Sequence, residues 1–168
     1  MWGIKKFLFF YFSCGLIGSV VYLGYNYFEF YNAISPLISS GLSKNEILTA
    51  LNTGNLTSFN GIIDQEQYNL ISNIYFGKSL GASGAIYGLL VAFAFALPNA
   101  ELNLMFIPIP IKAKYFVPAI ILFFDIIYGI ILKGDTGVGH AAHIGGALAG
   151  FIMMWYWNKS QFNNNRWN

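Results

Sequence analysis

Long uncharged apolar runs separated by polar joints set the pattern of this chain. The first run, 7–28, is about 22 residues long, enough to cross the roughly 30 Å hydrocarbon core of a bilayer as a helix. Lys5 and Lys6 precede it and Glu29 closes it, while Gly15 and Gly18 within it are points where a neighbouring helix can come close. A second run, 80–97, is stopped by Pro98. A third, 115–132, carries Pro118 in its first turn, where proline is tolerated. A fourth, 138–157, ends in Trp155 and Trp157, side chains suited to a membrane–water interface. The pattern predicts an all-α, polytopic transmembrane helix bundle forming a single membrane domain over 1–168.

The stretch 31–79 differs in kind, being polar and rich in Asn and Ser. Ser43-Lys44-Asn45-Glu46 has the spacing of a capping box, followed by Ile47, Leu48 and Leu51, with Gly54 as a stop. It predicts a short amphipathic helix, and a second helix is expected over 65–74. Asn55-Leu56-Thr57 fits a glycosylation acceptor, a triplet that also arises by chance. The joint 99–114 contains Pro108-Ile109-Pro110, which cannot continue a helix, and 133–137 reads as a short loop.

Composition agrees with a membrane protein: 56% of residues are apolar and only 10% charged. A net charge of +2 gives no reason to expect nucleic acid as a partner, and one cysteine, Cys14, excludes a disulfide framework within the chain. The first apolar run is too long for a cleaved signal peptide and lacks a small-residue cleavage site. Lys5, Lys6, Lys112, Lys114, Lys159 and Arg166 fall on one side of the spans, and Lys44, Lys78 and Lys133 on the other. The positive-inside rule then puts both termini in the cytoplasm and the 31–79 insertion outside.

The chemistry rests on two of the runs. Gly81-Ala82-Ser83-Gly84 opens the second, and Ser83 there has an ordinary reading, since a membrane serine can satisfy its hydroxyl on a carbonyl one turn back. Gly139-His140-Ala141-Ala142-His143 opens the fourth, and an intramembrane imidazole normally faces the protein interior with a partner. Gly84 and Gly88 form one small-xxx-small pair, Gly146 and Gly150 another. Ser83 shares a helix face with Tyr87, and His143 shares one with Gly146 and Gly150. If the two glycine seams meet, Ser83 and His143 come within hydrogen-bond reach. A serine hydroxyl needs a base to become a nucleophile, and neutral imidazole is the usual one. The turn Gly81, Ala82, Ser83, Gly84 would aim backbone N–H groups at a developing oxyanion. His140 and His143 are a conceivable metal pair, but with no further His or Cys and the acids distant in sequence, neither metal nor other cofactor is expected. His140 is read instead as an interfacial residue or one that tunes its neighbour. Asp125, an acid inside the third run, is either a third catalytic member or a structural hydrogen-bond acceptor.

These two blocks together, Gly81-Ala82-Ser83-Gly84-Ala85-Ile86-Tyr87-Gly88 and His140-Ala141-Ala142-His143-Ile144-Gly145-Gly146, resemble the rhomboid family of intramembrane serine proteases. The resemblance implies Ser83 as nucleophile and His143 as base, a dyad without a catalytic acid. It also implies that Gly81 and Gly84 frame the serine turn and that Tyr87 packs on the histidine ring. Its substrates would be transmembrane proteins, cleaved in the bilayer near the outer face where helix-breaking residues let the chain unwind. The family core has six spans, of which this chain reads as the last four. The family's H-x-x-x-N segment, which adds donors to the oxyanion hole, has no counterpart here. A non-catalytic rhomboid-like protein that binds transmembrane clients is the alternative.

Overall fold

The computed structural model describes residues 3–54, 59, 62–77, 82–104, 107–131 and 139–164. The elements run α1 (Ile4–Ser39), α2 (Lys44–Thr53), α3 (Gln65–Phe76), α4 (Ser83–Ala96), β1 (Glu101–Leu104), β2 (Ile107–Lys112), α5 (Ala113–Ile120) and α6 (His140–Asn164). Between α5 and α6 the helix continues from Ile121 to Ile131 in wider π-helical turns. Two compact units divide the chain, one of Met1–Tyr22 with Ser79–Asn168, the other of Leu23–Lys78.

In the first unit α1, α4 and α6 pack through glycines. A Cβ on Gly18 would sit 2.7 Å from the Ala142 carbonyl oxygen and 3.5 Å from Gly84 Cα. A Cβ on Gly150 would sit 2.7 Å from the Gly88 carbonyl oxygen, and one on Gly146 would overlap the Gly84 carbonyl. One on Gly88 would run into the Cys14 sulfur. No residue but glycine fits at such approaches, and in lipid this closeness supplies the attraction that hydrophobic burial supplies in water. Around the seam Phe10, Cys14, Ala92 and Ala149 form one buried cluster, and Val91, Val117 and Ala147 another.

The outer surface of this unit is apolar. Leu16, Val20, Phe123 and Phe124 are each more than 60% exposed. The helices α1 and Ala113–Ile131 are both long and apolar enough to cross a membrane, with most of their residues unburied within the protein. The core helix of a water-soluble protein hides such side chains; these face outward, as lipid requires.

At one end of the unit basic side chains lie over aromatic rings: Lys6 Nζ is 4.2 Å from the Trp157 ring centre, Lys114 5.1 Å from Tyr115 and Lys159 5.4 Å from Trp155. That pairing suits the headgroup layer. The joint after α4, read from sequence only as a helix-breaking linker, pairs with itself as an antiparallel hairpin, Glu101 opposite Lys112 and Leu102 opposite Ile111. The ladder is irregular between Leu102 and Leu104, and β2 carries Pro108 and Pro110, which have no N–H to donate to it. The Ala113 and Lys114 amides donate to the Ala100 and Pro98 carbonyls and close the hairpin base.

The second unit is built on its caps. Ser43 Oγ accepts from the Glu46 amide while the Glu46 carboxylate accepts from the Ser43 amide, and Gly54 ends α2 in a left-handed conformation (φ 67°). Asp64 and Gln67 cap α3 in the same reciprocal way. Ile34, Leu37, Ile47, Ala50, Leu51, Phe59 and Ile71 make this unit's core. Helix α1 does not end at Glu29: the helix runs to Ser39 with Pro36 in its last turn. A charge ends an apolar run but not a helix, and Glu29 accepts the Tyr25 hydroxyl hydrogen one turn back. The glycosylation triplet 55–57 lies outside the described residues.

Candidate active site

Ser83 is the first residue of α4, with Ala82 at the cap and no side chain capping it. The first intrahelical bond there runs from the Ile86 N–H to the Ala82 carbonyl at 2.9 Å. The N–H groups of Ser83, Gly84 and Ala85 precede it, so helix geometry leaves them without an intrahelical acceptor. Their partial positive charge is suited to an anion forming beside the serine. Gly81 lies outside the described residues.

His143 sits one turn into α6, its N–H donating to the Gly139 carbonyl at 3.2 Å. Two side chains fix its buried ring. Tyr87 stacks on it face to face, ring centres 4.0 Å apart and planes within 11°. On its edge, Nδ1 lies 2.8 Å from Asp125 Oδ1. An ionised carboxylate only accepts, and a hydrogen bond to it from Nδ1 is made by the imidazole tautomer whose Nε2, on the opposite edge, keeps the lone pair. Ser83 adjoins Gly84 and His143 adjoins Ala142 at a close crossing of α4 and α6, where Gly84 meets Ala142 and Gly146. Among the described residues no hydrogen bond joins Ser83 to His143.

The acids are not remote from the histidine pair. His140 also points Nδ1 at Asp125 Oδ1, at 2.9 Å, so a single carboxylate oxygen receives both imidazoles. All three side chains are buried, Asp125 completely. The His140 ring lies directly over Gly129, where a Cβ would collide with it. Asp125 is 15 and 18 residues before its partners, on the π-helical stretch, and a five-residue turn is a recurrent way of turning one side chain inward at a functional site. The signal that could have found this trio is that an acid and two histidines in lipid have nowhere to go but to each other. Gly145, one residue round from the seam, packs against α1, a Cβ there falling 2.7 Å from Val21 Cβ.

Comparison with known proteins gives the family of the chain. The Rhomboid domain model matches residues 1–160. The chain is 34% identical over 84 residues to Rhomboid protein 1, mitochondrial, of Saccharomyces cerevisiae, covering 50% of this chain and 23% of that protein. It is 36% identical over 118 residues to Presenilin-associated rhomboid-like protein, mitochondrial, of Rattus norvegicus, covering 60% and 30%. The Mus musculus protein of the same name is 42% identical over 82 residues, covering 48% and 20%. The chain thus spans less than a third of the length of these relatives. No solved structure matches at comparable significance. A family whose members act within membranes, a glycine-seamed bundle with an apolar exterior, and a sequence match over nearly the whole chain converge: this is an integral membrane protein of the rhomboid family.

Proposed function

We propose that this chain carries the catalytic centre of an intramembrane serine endopeptidase acting on transmembrane proteins. The observation that carries the reading is the way His143 is held, its Nδ1 edge on Asp125 and its ring face on Tyr87. Asp125 holds Nδ1–H and Tyr87 holds the ring plane, so Nε2 keeps its lone pair on a helix pressed against that of Ser83.

The steps rest on those groups. Nε2 of His143 takes the Ser83 proton as Oγ attacks the scissile carbonyl carbon. The resulting oxyanion lies at the N-terminal turn of α4, whose free N–H groups stabilise it. The imidazolium, its new charge balanced by Asp125, returns the proton to the leaving amine nitrogen, and the C–N bond breaks. Water, deprotonated by the same Nε2, then hydrolyses the ester and restores Ser83. The dyad reading assigned no catalytic part to Asp125; here it acts as a positioning residue, holding the base without touching substrate. Peptide bonds in a substrate helix are already hydrogen-bonded, so cleavage favours a segment that unwinds near the bilayer boundary. Both helix starts lie away from the Lys6–Trp157 end, which supports cytoplasmic termini and a site toward the outer face.

The test is cleavage of a single-span reporter helix, with helix-breaking residues near its outer boundary, by protein reconstituted in liposomes. Ser83→Ala and His143→Ala are expected to abolish cleavage while leaving insertion intact, and a fluorophosphonate to label only protein retaining both residues. Undiminished cleavage by Ser83→Ala overturns the assignment and favours a non-catalytic binder of transmembrane clients.

A further inference from the structure

Asp125, His140 and His143 each present a ligand atom, and the three atoms lie within 4.8 Å of one another. Two features separate the trio from an ordinary ion pair. Both imidazoles aim the same nitrogen at the same oxygen, at 2.8 and 2.9 Å. The second carboxylate oxygen, Asp125 Oδ2, is buried and makes no hydrogen bond among the described residues, with the Tyr87 side chain as a further polar neighbour of this carboxylate. A buried carboxylate oxygen so poorly supplied with donors is costly, and a cation would satisfy it. The cluster is also held in place, His140 over Gly129 and His143 under Tyr87.

Two imidazole nitrogens and one carboxylate oxygen, with a fourth position for water, are a donor set suited to zinc. Metal–ligand bonds of about 2.0–2.2 Å place neighbouring tetrahedral ligands roughly 3.3 Å apart. The atoms now at 2.8 and 2.9 Å would separate by about half an ångström, and the widest pair, within 4.8 Å, would close by up to about 1.5 Å, changes that side-chain rotation must supply. The N-terminal end of α6 opposes a cation weakly, and the full carboxylate charge outweighs it.

We propose that Asp125, His140 and His143 form a binding site for a divalent cation of the zinc class, and that its occupancy switches off His143 as a base. A neutral imidazole carries one N–H. Coordination through Nδ1 places that hydrogen on Nε2, converting the nitrogen that faces away from Asp125 from acceptor to donor. Two N–H···O hydrogen bonds are exchanged for three coordination bonds, no electrons are transferred, and the site gains two units of positive charge. Ser83 is not touched, yet its proton has no acceptor. The inhibitory half rests on the protease reading; the binding half does not.

The experiment uses the full chain in detergent, stripped of metal and dialysed against zinc chloride, with bound metal measured by elemental analysis. Cobalt(II) reports coordination geometry through its visible absorption. Expected are one zinc per chain, a tetrahedral cobalt spectrum, and binding weakened about tenfold or more in Asp125→Asn and in His140→Gln, with Ser83→Ala binding as the parent does. In liposomes, reporter cleavage falls in step with zinc occupancy and returns on chelation. A six-coordinate cobalt spectrum in the parent protein, or zinc binding untouched by both ligand substitutions, overturns the site. Full occupancy with undiminished cleavage overturns the switch. Ligand-dependent binding in protein that cleaves nothing, with or without zinc, supports the site and counts against the protease reading instead.

Discussion

The glycine seam lets helix packing be separated from catalysis by two alanine substitutions. An ordinary Cβ contact lies at 3.4–4 Å. A Cβ on Gly150 falls 2.7 Å from the Gly88 carbonyl oxygen and 2.8 Å from Gly88 Cα, so α4 and α6 must part there by about 0.7 Å. A Cβ on Gly146 meets three backbone atoms of Gly84; the carbonyl carbon at 2.5 Å alone requires a displacement of about 0.9 Å, and the overlapping carbonyl oxygen requires more. Neither clash can be relieved by rotating a side chain, and overpacking of this kind costs about 1–3 kcal/mol. Gly84 adjoins the nucleophile, while Gly88 lies four residues, about 6 Å, further down α4. A misplacement of 1 Å in reacting groups is worth about a hundredfold in rate. Gly146→Ala should therefore lose between about tenfold and a hundredfold in reporter cleavage, and Gly150→Ala several times less for each degree of melting temperature lost. Gly139→Ala, whose Cβ makes ordinary 3.6 Å contacts, and Gly24→Ala, with nothing within 4 Å, serve as controls. The assay is initial cleavage rate in liposomes beside thermal unfolding in detergent. Rate losses tracking melting temperature equally at Gly146 and Gly150 would refute the claim that the seam sets the Ser83–His143 distance.

Asp125→Asn should lower kcat by a factor on the order of 10²–10⁴ with little change in KM, because the amide no longer fixes the Nδ1–H tautomer; Asp125→Glu should restore part of it, and an unchanged kcat removes Asp125 from any positioning role. Gly129→Ala should displace the His140 ring from Asp125 at a stability cost of about 1–3 kcal/mol, read as loss of one of two hydrogen-bonded imidazole N–H signals by NMR; two persisting signals would show that the ring has room to spare. The Ser43 backbone N–H, and then its side chain, hold the Glu46 carboxyl below its ordinary range. Its contribution to α2 is therefore present above the unfolded carboxyl's pKa and lost as pH falls through the lower, folded one; amide exchange in α2 should rise over that window, and Glu46→Gln should remove the dependence.

What the sequence displayed and what it hid divide along physical lines. The apolar runs, both starts of the glycine-seamed helices and the Ser43–Glu46 cap are written in local patterns of period 3.6 or in caps of fixed spacing, and such patterns need no knowledge of neighbours. The partnership of Asp125 with His140 and His143 is not local. It depends on a π-helical register that periodicity at 3.6 cannot forecast, and on α6 packing beside that stretch. The packing of Gly145 is hidden for a similar reason. A small-xxx-small pair marks one partner helix, and with α1 on the other side adjacent glycines each serve a different neighbour. The 101–112 hairpin escapes too, since a proline marks the end of a helix and carries no record of a strand partner.

Cys14 gives the seam its own clock. It is the only thiol in the chain, it is wholly buried, and its sulfur occupies the space that a side chain at Gly88 would need. A maleimide reagent can reach it only when α1 and α4 part, so the labelling rate measures how often the bundle breathes at the level of the seam. The protein thereby carries a native reporter of that motion, readable by mass spectrometry without any introduced probe. Because the same reading can be taken in detergent and in bilayers of different thickness, it would tell how far the surrounding lipid, rather than the protein alone, holds the helices together.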